Sequence, residues 1–133
     1  MIAEEIPDWL RCYVNRVNTI DGLFQEHKKA NHVLVNEYLP GNGILPHLDG
    51  PLFHPVICTV SLGSSVLLDF YDPIRTGESE KGTRFEDRHI FSIYIKPRSL
   101  LILSEQLYEK VTNNSHSGIG PFSDVGIYNQ GYM

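Results

Sequence analysis

The sequence predicts a mostly β domain of the jelly-roll kind, an antiparallel sandwich or barrel, with one helix near its N-terminus. Several short segments alternate between apolar and polar residues, which is the period of a half-buried strand. Glycine and proline separate these segments at intervals typical of turns. Short strands at such spacing are characteristic of antiparallel sandwiches and barrels.

The helix is predicted at residues 7–17, where apolar side chains recur at helical spacing and Pro7 suits a first helical turn. A first strand is predicted at residues 32–39, with Asn36 and Tyr38 on the same face. The turn Pro40-Gly41 follows this strand.

Four more strands are predicted from the same alternation, at residues 56–62, 66–71, 89–96 and 99–103. Residues 72–88 are polar and form a long connection between the middle two strands. Residues 117–133 show no clear alternation, so we expect an irregular tail there.

The length of 133 residues predicts a single domain over residues 1–133. A composition of 41% hydrophobic and 20% charged residues excludes disordered and fibrous chains. The net charge of −5 argues mildly against broad, salt-driven nucleic-acid binding, although a local basic patch would permit it. The acidic start and the lack of a long apolar run predict no secretory signal and no membrane span. Cys12 and Cys58 have no CxxC spacing and are interpreted as free thiols.

The main chemical signal is the segment His47-Leu48-Asp49. In an extended segment, positions 47 and 49 point the same way, so an imidazole and a carboxylate can bind one metal ion. A third ligand from a distant strand would complete a two-histidine, one-carboxylate site, which suits non-haem iron(II). The pattern alone is weak, because about one chain in three of this composition contains His-x-Asp by chance. A surface histidine beside a turn is therefore the alternative for His47.

Five blocks of the sequence resemble the AlkB family of iron(II)- and 2-oxoglutarate-dependent dioxygenases. They lie in order, with family-like spacing, at residues 31–41, 46–52, 61–63, 68–73 and 97–101. The resemblance implies a double-stranded β-helix, as the jelly roll is also called, that hydroxylates or demethylates its substrate by oxidation. It further implies a location in the nucleus and cytoplasm. Members of the family act on DNA, RNA or protein, and the sequence does not decide among them; we expect a nucleic-acid substrate.

The resemblance also implies a role for each matching residue. His47 and Asp49 would bind iron(II), and Asn36 and Tyr38 would donate hydrogen bonds to 2-oxoglutarate, the co-substrate used together with O2. His116 would be the second imidazole ligand, although a serine separates it from the Gly-Ile pair that follows. A loop histidine is the alternative for His116.

The other four histidines are weaker candidates. His54 would line the substrate entrance or lie in an exposed loop, and we favour the loop. The remaining three have no carboxylate at ligand spacing and are interpreted as structural: His27, His32 and His89.

The chain departs from the family pattern near its end. The family ends in a strand with two arginines, the first of which pairs with the far carboxylate of 2-oxoglutarate, but this chain has no Lys or Arg after Lys110. Arg98 is interpreted as a turn residue. We therefore expect a chain that is truncated at both ends and lacks the last core strand. Two alternatives to an active enzyme follow: a binding module without turnover, or a product with no stable function.

Overall fold

In the part of the chain that it describes, the computed structural model contains one α-helix and two four-stranded antiparallel sheets. The elements in chain order are α1 (Asp8–Asn18), β1 (His32–Tyr38), β2 (Gly43–His47), β3 (Phe53–Gly63), β4 (Val66–Tyr71), β5 (His89–Ile95), β6 (Leu100–Ser104), β7 (Thr112–Ser117) and β8 (Phe122–Gln130). Sheet A has the strand order β1-β8-β3-β6, and sheet B has the order β2-β7-β4-β5. All the strand pairs are antiparallel.

The structure describes residues 5–47, 53–72, 84, 86–104, 112–117 and 122–130. At residues 46, 53, 112–117, 122–124 and 128–130 it describes the backbone alone. Within these ranges, no helix has both the length and the apolar character that crossing a membrane requires.

Helix α1 covers one face of sheet A because its apolar side chains share one side. Leu10, Val14 and Val17 recur at helical spacing, and all three are buried. They pack with side chains of β3 and β8, among them Cys58 and Ile127, which have no exposed surface. Burying an isoleucine side chain such as that of Ile127 contributes about 1.5–3 kcal/mol. This first core fixes the helix against the two inner strands of sheet A.

A second core fills the space between the two sheets. Sheet A contributes Ile57 and Leu103, and sheet B contributes apolar side chains from β4 and β5. Phe70 is fully buried and stacks on Phe91, with ring centroids 4.5 Å apart. We call the face of sheet A that meets this second core its inner face.

The two cysteines are both free thiols, as the sequence predicted. Cys12 lies on the exposed side of α1, and Cys58 lies in the first core. Burial raises the pKa of the Cys58 thiol to about 11, because an apolar environment disfavours the thiolate. Cys58 is therefore a packing residue.

The predicted fold class is confirmed. The helix expected at residues 7–17 is α1, and the five strands predicted from alternation are β1, β3, β4, β5 and β6, with ends that differ by a few residues. Two packed antiparallel sheets give the jelly-roll-like architecture that the strand pattern predicted.

Three strands were not predicted: β2, β7 and β8. The expectation of an irregular segment over residues 117–133 is wrong for Phe122–Gln130, which form β8. This strand lies between β1 and β3 and pairs with both along most of its length. Sheet A therefore has an inner strand where we expected the last core strand to be missing. What the strand lacks is any Lys or Arg.

Candidate metal and co-substrate site

Asn36 and Tyr38 lie on the inner face of sheet A. Alternation along β1 separates them from Val33, which packs against the α1 core, whereas Tyr38 packs against the core between the sheets. Both Asn36 and Tyr38 are half-buried. The amide of Asn36 and the hydroxyl of Tyr38 thus lie on one face at the end of β1, next to the apolar core between the sheets.

A tight turn carries the chain from sheet A to sheet B directly after these residues. The Asn42 N–H donates to the Leu39 carbonyl at 3.0 Å, and Gly41 has φ 83°. Proline followed by a glycine of positive φ is the signature of a type II turn. The turn starts β2 next to the end of β1, so the strand that ends at His47 begins beside Tyr38.

His47 is the last residue of β2 and is exposed. The register of β2 against β7 shifts between Ile44 and His47. The His47 Nδ1–H donates to the Leu45 carbonyl at 2.9 Å, since a carbonyl can only accept. In the neutral ring Nε2 then carries the lone pair, which is the tautomer that a metal-binding imidazole requires.

The second predicted imidazole is on a strand adjacent to β2. β7 pairs with β2, and His116 of β7 lies opposite Gly43, while Asn113 lies opposite His47. His116 is thus three positions along β7 from the residue facing His47, or about 10 Å of strand. The backbone of His116 is described but its side chain is not, and Asp49 lies outside the described residues.

Among the described side chains, no three His, Cys, Asp or Glu residues are close enough together to hold a metal ion. That set includes His47 but neither Asp49 nor the side chain of His116. The structure therefore places the start of β2 one turn after Asn36 and Tyr38, and β7 beside β2. The side chains of Asn36, Tyr38 and His47 fit a site with nitrogen and oxygen donors.

A row of residues that crosses sheet A beside Asn36 was missed at the level of sequence. In register, Asn36 of β1 lies opposite Asp124 of β8, and Asp124 lies opposite Ser61 of β3. Ser61 is 2% exposed. On its other side the Ser61 carbonyl accepts the N–H of Arg98, an exposed turn residue with φ 64°. The apolar pair Val125 and Ile127 was the signal that could have revealed β8.

His54 lies on the α1 side of sheet A rather than with Asn36. It is a half-buried residue of β3, not the exposed loop residue that we favoured, and its ring centroid is 6.3 Å from that of Phe24. Burial and, to a smaller extent, the charge of Lys28 lower the pKa of His54. His54 therefore belongs to the packing around α1.

A polar cluster on the far face of sheet B was also missed. Asp69 is buried, and its carboxylate oxygens lie 3.8 Å from the His89 Nε2 and 3.5 Å from the Tyr71 hydroxyl. The same His89 nitrogen is 2.9 Å from the Ser92 Oγ. Because the serine and the carboxylate approach the same nitrogen, this is not the geometry of a catalytic triad. The cluster provides polar partners for a buried carboxylate.

The chain shares extended similarity with known proteins. It is 47% identical over 109 residues to the probable RNA/DNA demethylase ALKBH6 of Danio rerio, an alignment that covers 82% of the chain and 46% of the relative. The chain belongs to the AlkB family. It is also 33% identical over 105 residues to an uncharacterised protein of Acanthamoeba polyphaga mimivirus, covering 78% of the chain and 43% of the relative.

The AlkB resemblance of the sequence is thereby confirmed, although the chain spans less than half the length of these relatives. No family model matches the sequence. Among solved structures, the cysteine peptidase peruvianin-I of Thevetia peruviana is similar, with 15% sequence identity and a TM-score of 0.46. The match covers 74% of this chain and 50% of the peptidase chain. That likeness is too low to carry an argument about fold or function.

Proposed function

We propose that the chain carries the metal and co-substrate centre of an AlkB-type dioxygenase, which uses iron(II), 2-oxoglutarate and O2 to demethylate nucleic acid by oxidation. The observation that carries this proposal is membership of the AlkB family combined with the position of Asn36 and Tyr38 at the end of β1, one turn before the strand that ends at His47. The strand bearing His116 is the neighbour of that strand. The activity is proposed for a whole AlkB-type protein in which these residues form the metal and co-substrate centre.

Iron(II) would be held by His47 through Nε2, by Asp49 and by His116. Two imidazoles and one carboxylate suit this ion and leave positions open for other ligands. When bound, the metal supplies the oxidising chemistry that inserts oxygen into a C–H bond of the substrate. The Leu45 carbonyl fixes the tautomer and orientation of the His47 ring, so His47 meets the ion already oriented.

The chain's own residues would bind and orient the co-substrate. The Asn36 amide and the Tyr38 hydroxyl can each donate a hydrogen bond to a carboxylate. Tyr38 also packs against the core between the sheets, which keeps water from one side of the bound 2-oxo acid. The two donors lie on one face of a strand, and a strand holds their spacing more rigidly than a loop would.

The substrate proposed is an N-methylated base, because the Danio rerio relative is described as a probable RNA/DNA demethylase. A hydroxylated N-methyl group leaves as formaldehyde. The net charge of −5 means that contact with nucleic acid would depend on a local basic patch. We further propose a location in the nucleus and cytoplasm, as the family resemblance implies.

The proposal is tested by anaerobic titration of the chain with iron(II) and 2-oxoglutarate, monitored by visible absorption. We expect a band that requires both additions and disappears in His47→Ala. His27→Ala is the matched control, since His27 is an exposed histidine on the loop between α1 and β1 and should leave the band unchanged. A folded chain that gives no band, or a band that survives in His47→Ala, would contradict the proposal.

A second candidate function is a binding module that turns nothing over. The observation that favours it is the lack of any Lys or Arg in β7 and β8, because a buried dicarboxylate needs a cation to pair with its far end. A variant in which His47, Asp49 and His116 are all replaced by alanine distinguishes the two candidate functions. A binding module would still bind a methylated oligonucleotide with unchanged affinity, whereas an enzyme would lose succinate formation.

A further inference from the structure

Strand β1 is an edge of sheet A. In the part of the chain that the structure describes, the sheet ends at β1, whose neighbouring strand is β8. Every residue from His32 to Tyr38 is in register with β8, without a shift. β1 also contains no lysine and no proline, residues that commonly prevent an edge strand from pairing further. The side of β1 that faces away from β8 is therefore suited to accept another strand.

Apolar side chains are exposed on both faces of this edge. Leu34 is 47% exposed and Val35 is 46% exposed. Alternation places Leu34 on the inner face of sheet A and Val35 on the face that α1 covers. Leu34 lies opposite Gly126 of β8, which has no side chain to cover it. A strand added beside β1 would bury apolar surface on both faces of the sheet.

The other edge of sheet A, β6, is exposed on one face only. Its exposed apolar residues are Leu100 and Ile102, and Ile102 is in register with Cys58 of the α1 core, so both lie on the α1 face. On the inner face, Leu103 is buried and Leu101 packs against the core between the sheets. β6 has five residues, whereas β1 has seven. A further strand would thus bury more apolar surface at β1 than at β6.

The sequence of β1 is self-complementary when two copies run antiparallel. In one continuous sheet with a twofold axis, opposed residues share a face, so the two residue numbers of each pair have an even sum. With the axis at Leu34, Leu34 lies opposite its own copy and Val33 lies opposite Val35. His32 then lies opposite Asn36, so polar residues also meet polar residues.

A neighbouring axis gives a poorer match. With the axis at Val35, Leu34 would lie opposite Asn36, and Val33 would lie opposite Glu37. Matching of apolar and polar positions is what sets the register of paired strands. We propose that two copies of the chain form a dimer in which β1 pairs with β1 of the second copy, antiparallel and centred on Leu34. The two copies of sheet A then form one continuous sheet.

The dimer adds a residue to the candidate site. His32 and Asn36 both lie on the inner face of sheet A, because they alternate with Val33, which packs in the α1 core. Directly opposed residues of antiparallel strands have Cβ atoms about 4.5–5.5 Å apart. Each copy therefore places its His32 beside Asn36 of the other copy, where the co-substrate is proposed to bind. The pairing itself is independent of that proposed role, since it uses β1 alone.

Sedimentation velocity over a range of concentrations tests the dimer on the full chain. We expect a species of twice the 15.1 kDa chain mass at high concentration, which dissociates on dilution. Leu34→Lys should remove the dimer, because two ammonium groups would lie directly opposite each other. Leu100→Lys is the matched control. Leu100 is a leucine with 44% exposure on the other edge strand, so the same change there should leave the dimer intact.

A mixture of charge variants tests the position of the twofold axis. Leu34→Glu alone should be monomeric for the same reason as Leu34→Lys. An equimolar mixture of the two variants should form a mixed dimer, because opposite charges then lie across the axis. A mixture that stays monomeric, with both variants folded by circular dichroism, would refute the pairing about Leu34.

Amide hydrogen exchange of the unaltered chain provides a measurement that needs no variant. Raising the concentration should slow exchange in β1 and leave β6 unchanged, because β1 alone gains a neighbouring strand. This result decides the matter if Leu34→Lys does not fold.

The dimer is refuted if the unaltered chain remains a monomer at every concentration, or if exchange in β1 does not depend on concentration. It is refuted equally if Leu100→Lys removes the dimer as fully as Leu34→Lys does. Each of these results leaves the proposed function standing, because none of them measures the binding of iron(II) or 2-oxoglutarate.

Discussion

The face of a strand that a residue occupies decides its chemistry in this protein. On β3, Cys58 and Ile57 are neighbours in sequence, but one lies in the α1 core and the other lies between the sheets. On β1, Glu37 is exposed while Asn36 and Tyr38 border the candidate site. Moving a charged residue by one position along one of these strands therefore moves its side chain to the other face of the sheet, where it contacts different residues.

The half-buried His54 gives a prediction at the residue scale. Burial is the larger cause of its lowered pKa and the charge of Lys28 the smaller. Lys28→Met should raise the pKa of His54 only part of the way towards the ordinary value. Lys29→Met should leave it unchanged, because the Lys29 ammonium pairs with Glu26 at 3.2 Å. NMR titration of the histidine ring protons measures both, with His54→Gln to assign the signal.

The same lowered pKa predicts the direction of a pH effect on stability. The folded chain favours neutral His54, so the unfolded chain takes up the proton first as the pH falls. The stabilising contribution is present above the ordinary histidine pKa of 6.5 and is lost as the pH falls through the lowered pKa of the folded chain. His54→Gln should flatten the fall in melting temperature over this range. A fall as steep as that of the unaltered chain would contradict the assignment.

At the scale of single elements, β8 is the strand on which sheet A depends most. It separates β1 from β3 and supplies the α1 core with Val125 and Ile127. An inner strand satisfies its backbone groups on both sides, so the sheet depends on it more than on an edge strand. The candidate site shares this dependence, since β8 runs beside Asn36 and Tyr38.

Ile127→Ala tests this position of β8. Ile127 has no exposed surface, and truncating a side chain buried to that degree costs about 2–5 kcal/mol in the free energy of unfolding. Ile102→Ala is the control, because Ile102 is 37% exposed on the edge strand β6 and should cost less than about 1 kcal/mol. Urea unfolding measures both. Equal costs for the two variants would mean that residues 122–130 are not an inner strand.

At the scale of the whole molecule, two separate hydrophobic cores stabilise the fold. One joins α1 to sheet A and the other joins the two sheets. β3 contributes to both, with Cys58 in one and Ile57 in the other. Tyr38 of the candidate site packs against the second core, so its position is held by the packing of one sheet on the other.

Amide hydrogen exchange should reveal this organisation. In sheet A, β3 and β8 each have two hydrogen-bonded neighbours, whereas β1 and β6 are edges. We therefore expect the slowest exchange in β3 and β8, and faster exchange at those amides of β1 and β6 that have no strand beside them. Uniform protection across the four strands would show that the sheet opens only as a unit. Fast exchange in β8 would contradict its inner position.

Much of the fold was predictable because alternation is a local property. β1, β3, β4, β5 and β6 carry apolar residues at every second position, and α1 carries them at helical spacing. β7 has almost no apolar residues, since its sequence is Thr-Asn-Asn-Ser-His-Ser, and β2 contains Pro46. Their strand conformation comes from pairing with neighbours, which local patterns do not record.

By itself, the sequence determined the fold class, the AlkB resemblance and the residue types of the candidate site. These depend on side-chain identity and short-range periodicity, which a single chain displays directly. Only the tertiary structure decided that β8 is an inner strand, that the strands of His47 and His116 are neighbours, and that Asp124 lies in register with Asn36. Register between strands distant in sequence is set by packing and hydrogen bonding in three dimensions, so no local segment encodes it.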